Sequence, residues 1–267
     1  MDLLLVGHVT RDEIDGGVRL GGAASYAALA AATLGIETGL VTAAPPDDAL
    51  LEPLRRTPGL HLCCVPSDVI TTFALDYSGG ARRLWLRQRA RPLTIDDVPP
   101  DWRRPRVAYV GPVAGECDGA LLRALDASFV GAGLQGWLRR VHQDGLVEPA
   151  PLGEELPPLD VAIISELDHA DAEAIARARV APGGTAAITR GARGATLIRG
   201  GERAEIPPAP AREVDPTGAG DVFGVVLTLQ LAGGESLAAA GRAAAGIAAR
   251  VIEGPGLGTL PAAMASR

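Results

Sequence analysis

Asp215-Pro216-Thr217-Gly218-Ala219-Gly220-Asp221, running directly into the apolar stretch 222–231, brings three small residues, a helix start and a carboxylate within one turn of each other. Gly218, Ala219 and Gly220 can turn their backbone N–H groups toward an anion with no side chain in the way. The helix that follows adds the positive end of its dipole at the same place. Asp221, in the first helical turn, stands where a carboxylate can orient a hydroxyl toward a bound phosphoryl group. The same spacing also suits a glycine-rich turn whose aspartates cap a helix.

Outward from this stretch, short apolar runs alternate with alanine-rich segments of helical length, the βαβ rhythm of a mostly parallel sheet covered on both faces. Strands are expected at 3–9, 38–42, 106–110, 128–131, 161–165 and 185–189, and helices at 22–34, 168–179, 219–231 and 236–252. The first helix should stop at Gly35. One region breaks the rhythm. The β-rich runs 70–77 and 82–91 flank Ser78-Gly79-Gly80 with no helix between them, and 13–19, turning at Gly16-Gly17, adds a second ribbon. These strands are expected to form a small flap at the sheet edge, acting as a closing lid, an edge cover or a dimer surface.

Composition removes several rivals. With 267 residues and 47% hydrophobic content the chain can bury one large α/β core, and a single domain spanning 1–267 is the expectation, with flap strands inserted at about 10–20 and 69–91. All 25 basic residues are arginine, so a Walker-type phosphate loop, a Schiff-base enzyme and a protein kinase are excluded for want of a lysine. Asparagine is absent too. The net charge of −7 argues against nucleic acid or an anionic membrane as partner. No apolar run has the length of a membrane span, and the first residues lack a basic segment and a cleavage site, so a cytoplasmic location is expected. Cys63 and Cys64 are adjacent in a strand and Cys117 is distant, so the three read as small buried hydrophobes rather than a disulfide or zinc set.

The Asp-x-Thr-Gly-Ala-Gly-Asp stretch resembles the C-terminal signature of the ribokinase-like (PfkB) carbohydrate kinases at every fixed position. The resemblance implies a ribokinase-like α/β fold, a mostly parallel central sheet with helices on both faces plus a small β lid. It further implies that Asp221 is the catalytic base and that Gly218, Ala219 and Gly220 form the anion hole. Leu20-Gly21-Gly22-Ala23-Ala24-Ser25-Tyr26-Ala27 is similar to the family's first signature, and Asp12, five residues after Gly7, matches the Asp that takes sugar hydroxyls. Tyr26 departs from the family's usual Asn. With Gln135-Gly136-Trp137-Leu138-Arg139 it resembles the myo-inositol kinases of the family, which implies acceptor contacts for Asp12, Gly21, Gly22, Tyr26, Gln135 and Arg139. Arg139 reads equally as a phosphate contact or a surface arginine, and Trp137 as a core aromatic.

Thr189-Arg190-Gly191-Ala192-Arg193-Gly194 matches the family's nucleotide turn, which implies ATP contacts for Thr189, Arg190, Gly191 and Gly194, joined by Asp215 and Thr217. Ser165-Glu166-Leu167-Asp168 stands where the family has Asn-x-x-Glu, so Asp168 is the expected Mg²⁺ residue, with helix capping as the competing reading. The expectation is therefore an ATP- and Mg²⁺-dependent kinase of a small polyol or sugar, with the lid strands a candidate homodimer surface. A nucleoside kinase, or a catalytically weak ligand-binding or regulatory member of the fold, is the alternative. A dinucleotide-dependent oxidoreductase is disfavoured, because the residues after Gly218-x-Gly220-x-x-x-Gly224 contain neither a further strand nor the acidic ribose contact.

Overall fold

The computed structural model describes residues 1–14, 17–76, 83–153 and 155–254. Strands β1 (Leu3–Val6), β4 (Thr38–Ala44), β5 (Leu60–Pro66), β8 (Val107–Val110), β9 (Phe129–Gly133), β12 (Leu159–Ser165), β13 (Val180–Thr189), β14 (Ala195–Arg199) and β15 (Glu202–Ile206) make a nine-stranded sheet. Its order is β15-β14-β13-β12-β9-β8-β1-β4-β5. From β13 to β5 every pairing is parallel, and β14 and β15 finish the other edge as an antiparallel ribbon. The chain runs from β1 outward through β4 and β5, then returns to the other side of β1 with β8. The order therefore reverses between β1 and β8, and a crevice opens at their C-terminal ends, where open α/β sheets bind ligands.

Alternation along β1 divides the core in two. Leu3 and Leu5 face the layer built by α1 (Ala23–Thr33), α5 (Ala219–Ala232) and α6 (Leu237–Val251), whereas Leu4 and Val6 face α3 (Gly119–Ala124), α4 (Ala172–Arg177) and the buried Trp137. Helix α2 (Glu52–Arg55) lies against β5. Of the 11 residues of α1, 10 are buried, and alanine at most of them lets the helix lie between the sheet and α5 with little side-chain thickness. The Trp137 indole N–H donates to the Cys117 carbonyl at 2.6 Å, the core role expected of it.

A separate four-stranded sheet, ordered β3-β2-β6-β7, comprises β2 (Thr10–Ile14), β3 (Gly17–Gly21), β6 (Thr71–Asp76) and β7 (Arg83–Gln88). Phe73, Leu75 and Leu84 on its inner face pack on Ala23, Val113 and Ala114, which seats it over the mouth of the β1/β8 crevice. The expected turns at Gly16 and Ser78-Gly79-Gly80 fall outside the described residues. A short hairpin, β10 (Arg139–Val141) with β11 (Val147–Pro149), was not anticipated.

Strand β13 begins at Val180 rather than 185, and two further differences from expectation have a visible cause. Strand β1 ends at Val6 rather than residue 9, because the His8 N–H is taken by the Glu116 side chain and the Val9 N–H by the Thr42 hydroxyl instead of a neighbouring strand. The helix expected at 168–179 is limited to Ala172–Arg177, because the Asp168 carboxylate accepts the Ser165 N–H at 2.9 Å and closes a turn ahead of it.

Candidate active site

One end of the candidate site is built from the first 26 residues. Asp12 on β2 is 5% exposed, and the Thr10 hydroxyl donates to its Oδ1 at 2.7 Å. Gly21 lies opposite Thr10 on β3, and a β-carbon at Gly21 would stand 2.2 Å from Asp12 Oδ2. The first glycine of the pair is thus the condition for the carboxylate to lie flat over the start of α1. Gly22 caps that helix, and a β-carbon there would meet the His8 carbonyl oxygen at 2.6 Å.

The other end lies at the start of α5. Gly218 caps the helix at φ 82°, a left-handed conformation, and a β-carbon on it would fall 2.0 Å from the Tyr26 ring. Asp215 accepts the Thr217 N–H at 3.0 Å, and its other oxygen takes the Arg19 guanidinium from β3. Arg19 also donates to the Thr217 hydroxyl at 3.1 Å. Burial alone would raise the Asp215 carboxyl, but Thr217 and Arg19 together hold it below the usual range. Asp221 is half-buried in the first turn of α5.

Tyr26 joins the two ends. It is 1% exposed, its ring rests on Gly218, and its hydroxyl lies within the fields of Arg19, Asp215, Asp12 and Asp221. Burial, reinforced by the three carboxylates and opposed by Arg19, raises the phenol well above its ordinary value. The Tyr109 hydroxyl is raised likewise, by burial and then by Asp221. Asp12 on β2 and Asp221 on α5 thus both act on this one buried phenol. Among the described residues, Tyr26 Oη and Arg19 Nε are two of the three buried side-chain polar atoms without a hydrogen-bond partner. Each such atom costs about 1–3 kcal/mol.

Sequence reasoning missed Glu116. It is 1% exposed, and its carboxylate accepts the N–H groups of His8 at 2.8 Å, Val113 at 3.0 Å and Ala114 at 2.8 Å. His8 follows β1, and Val113 and Ala114 follow β8, so Glu116 ties together the two loops that frame the crevice. The His8 ring is placed as firmly, with Nε2 on the Arg91 carbonyl at 2.9 Å and Nδ1 on the Thr71 hydroxyl at 2.8 Å. Gly115-Glu116-Cys117 carries no motif from which this could be read.

The remaining expected residues are distributed around this centre. Gln135 donates to Asp168 Oδ1 at 2.9 Å, so the expected acceptor residue and the expected metal residue meet each other beyond β9 and β12. The Arg139 guanidinium donates to the Val113 carbonyl at 2.6 Å and lies over the Phe73 ring at 5.5 Å, beneath the small sheet. In the turn between β13 and β14 the Arg190 N–H donates to the Gly194 carbonyl at 2.8 Å, while Gly191 is exposed. The Arg190 side chain bonds Thr196, and Arg193 pairs with Glu166. No group of three or more His, Cys, Asp or Glu able to hold a metal occurs among the described residues. Asp168 offers one carboxylate whose oxygens already accept Ser165 and Gln135, which fits a Mg²⁺ contact through water with donor phosphates as the main ligands.

Residues 161–263, which contain the 189–194 turn and the Asp215–Asp221 stretch, match the model of the pfkB family carbohydrate kinases. A pyrophosphate-dependent kinase of the ribokinase family, solved with a pyrophosphate analog and myo-inositol, superposes with a TM-score of 0.78 at 20% identity, covering 95% of this chain and 96% of that one. Ribokinase from Thermotoga maritima matches at 0.71 and 15% identity, covering 98% and 95%, and adenosine kinase from Sinorhizobium meliloti at 0.70 and 17%, covering 100% and 99%. No curated protein sequence matches the chain. The fold is that of the ribokinase-family kinases, and residues 161–263 are similar to the pfkB family carbohydrate kinases. No helix among the described residues is long and apolar enough to cross a membrane.

Proposed function

We propose that this protein is a kinase that moves the terminal phosphoryl group of a polyphosphate donor to a hydroxyl of a small polyol or sugar. The observation that carries the reading is the meeting of the small sheet that bears Asp12 with the loop before Asp221: Arg19 of β3 bonds Asp215 and Thr217, and the Tyr26 ring rests on Gly218. Asp12 takes one or two acceptor hydroxyls, and Gly21 and Gly22 let the acceptor lie against the start of α1. The bond between phosphorus and the donor's leaving oxygen breaks with its electron pair staying on the leaving phosphate, while the acceptor oxygen bonds to phosphorus and its proton passes to Asp221. A loose transition state asks little of the base, so alignment and anion stabilisation supply most of the rate. The small sheet over the crevice acts as a lid that keeps water from the phosphoryl group. Its strands are also the surface we assign to a homodimer.

The 189–194 turn supports ATP as donor, with Mg²⁺ held on the phosphates and near Asp168. Pyrophosphate is the second reading, favoured by the likeness to a pyrophosphate-dependent member of the fold. Cyclic polyols of the myo-inositol type are the first acceptors to try, then furanose and pyranose sugars, then nucleosides. A panel of these acceptors against ATP and pyrophosphate, read as phosphorylated product, tests the proposal. Donor consumption dependent on one acceptor class is expected, and no transfer from either donor would overturn it.

Two neighbouring glycines should respond in opposite ways. Gly220 lies within α5 and a β-carbon there meets nothing within 4 Å, so Gly220→Ala should keep or raise the melting temperature, helical alanine being favoured by up to about 1 kcal/mol. Its kcat/KM should nevertheless fall roughly tenfold or more, because the methyl group enters the space through which an anion reaches the amides. Gly218→Ala, forced to φ 82° and into the Tyr26 ring, should lose stability as well. Undiminished kcat/KM in Gly220→Ala would contradict the anion hole.

A further inference from the structure

The small sheet carries one arginine across the crevice to the donor loop. Arg19 stands on β3, two residues before Gly21, and its guanidinium is aimed by Asp215 and by Thr217, residues 196 and 198 positions further along the chain. Both terminal nitrogens are engaged, yet Nε is buried with no acceptor in the protein. The Tyr26 hydroxyl, buried against Gly218 in the same surroundings, has no partner either. Neither Asp12 nor Asp215 nor Asp221 takes the phenol's proton in a hydrogen bond, although all three act on it electrostatically. Two donors without acceptors thus lie between the acceptor carboxylate and the start of α5.

The chemistry of a ligand that would satisfy both is restricted. It must present oxygen acceptors, and Arg19 is the group that offsets part of the repulsion Asp12, Asp215 and Asp221 exert on a charged one. A phosphoryl group presents several such oxygens at once, whereas a single polyol oxygen meets one donor. Because the chain has no lysine, a permanently charged side chain facing a transferring phosphate must be an arginine. Of the arginines expected in the site from the sequence, Arg190 is turned to Thr196 and Glu205, and Arg139 to Val113 and Phe73.

We propose that Arg19 is a catalytic residue of the transfer, donating with the Tyr26 hydroxyl to the non-bridging oxygens of the phosphoryl group as it passes from donor to acceptor. This rests on the kinase reading above and identifies the cation that reading leaves unassigned. Arg19 and Tyr26 keep their protons throughout, and the acceptor proton still goes to Asp221. One consequence concerns timing: the cation belongs to β3, so the transition state is neutralised only when the small sheet is seated on the sheet below.

The full-length protein with Arg19→Gln, Arg19→Lys and Tyr26→Phe provides the test. In Arg19→Gln, kcat should fall about 10²- to 10³-fold while the acceptor KM changes less than about threefold. Arg19→Lys, which keeps charge but loses the planar fork, should recover part of the loss, and added methylguanidinium should partly restore Arg19→Gln. Tyr26→Phe should lose about tenfold in kcat. Calorimetry with inorganic pyrophosphate as probe, without acceptor, should show binding to Arg19→Gln weakened at least about tenfold. If Arg19 only fastened the small sheet to Asp215, the loss would follow melting temperature and acceptor KM, and methylguanidinium would do nothing; that pattern overturns the proposal. So does a near-normal kcat or unchanged pyrophosphate affinity in Arg19→Gln, both of which leave the kinase reading standing. A wild-type protein that transfers no phosphate and binds no pyrophosphate would overturn both.

Discussion

Asp221→Ala and Asp221→Asn are expected to lose at least about 10²-fold in turnover while melting within a few degrees of the wild-type protein. The fold does not depend on this carboxylate: it is half-buried in the first turn of α5, where an acid contributes about 0.3–1 kcal/mol through the helix dipole. In the proposed mechanism this carboxylate aligns the acceptor hydroxyl and takes its proton late. Asn keeps the shape and one hydrogen-bond acceptor but cannot receive the proton, so it should retain the acceptor KM and lose kcat, whereas Ala should lose alignment as well. A near-normal kcat in either variant removes Asp221 from the mechanism, and the kinase reading would then need another base within reach of the anion hole.

What could be read from the chain beforehand was what is local. The parallel sheet and its two helical layers follow from runs a few residues long, and the glycine-rich helix starts at 21–26 and 218–221 are complete within one turn each. The glycine that ends α1, Gly35, was visible for the same reason. Pairings across the chain were not visible. Arg19 reads as an ordinary strand arginine until the fold carries it to Asp215, 196 residues away. Tyr26 suggested an aromatic contact with the acceptor, yet its ring is buried on Gly218, a relation that only the approach of α1 to α5 creates. The helix expected from residue 168 fails for a related reason: Asp168 is a good cap, but it caps the Ser165 turn, and the helix begins after it.

Glu116 should produce the largest change in stability. Its carboxylate is the acceptor for the N–H groups of His8, Val113 and Ala114, and Glu116→Ala would leave these three donors buried without partners. Even at the lower end of about 1–3 kcal/mol for each stranded donor, the expected cost is about 3–5 kcal/mol, or roughly 10 °C in melting temperature. Glu116→Gln fills the space but turns an NH₂ group toward backbone donors, so it should be destabilised nearly as much. The pH dependence separates this account from simple packing. Burial alone would push the Glu116 carboxyl up, but the nearby His8 and the N–H groups outweigh it and hold the carboxyl below its ordinary 4.5. A carboxylate depressed in the folded state contributes stability that is fully present above its unfolded value and is lost as pH falls through the folded one. The gap between wild type and Glu116→Gln should therefore narrow as pH falls below about 4.5. Because the same carboxylate ties the loops after β1 and β8 together, the acceptor KM should rise in whatever fraction of Glu116→Gln folds, with the proton transfer to Asp221 unaffected. A Glu116→Ala protein that melts within about 3 °C of wild type, or a gap that does not narrow in acid, would show that the three amides find other partners and that the crevice does not depend on this residue.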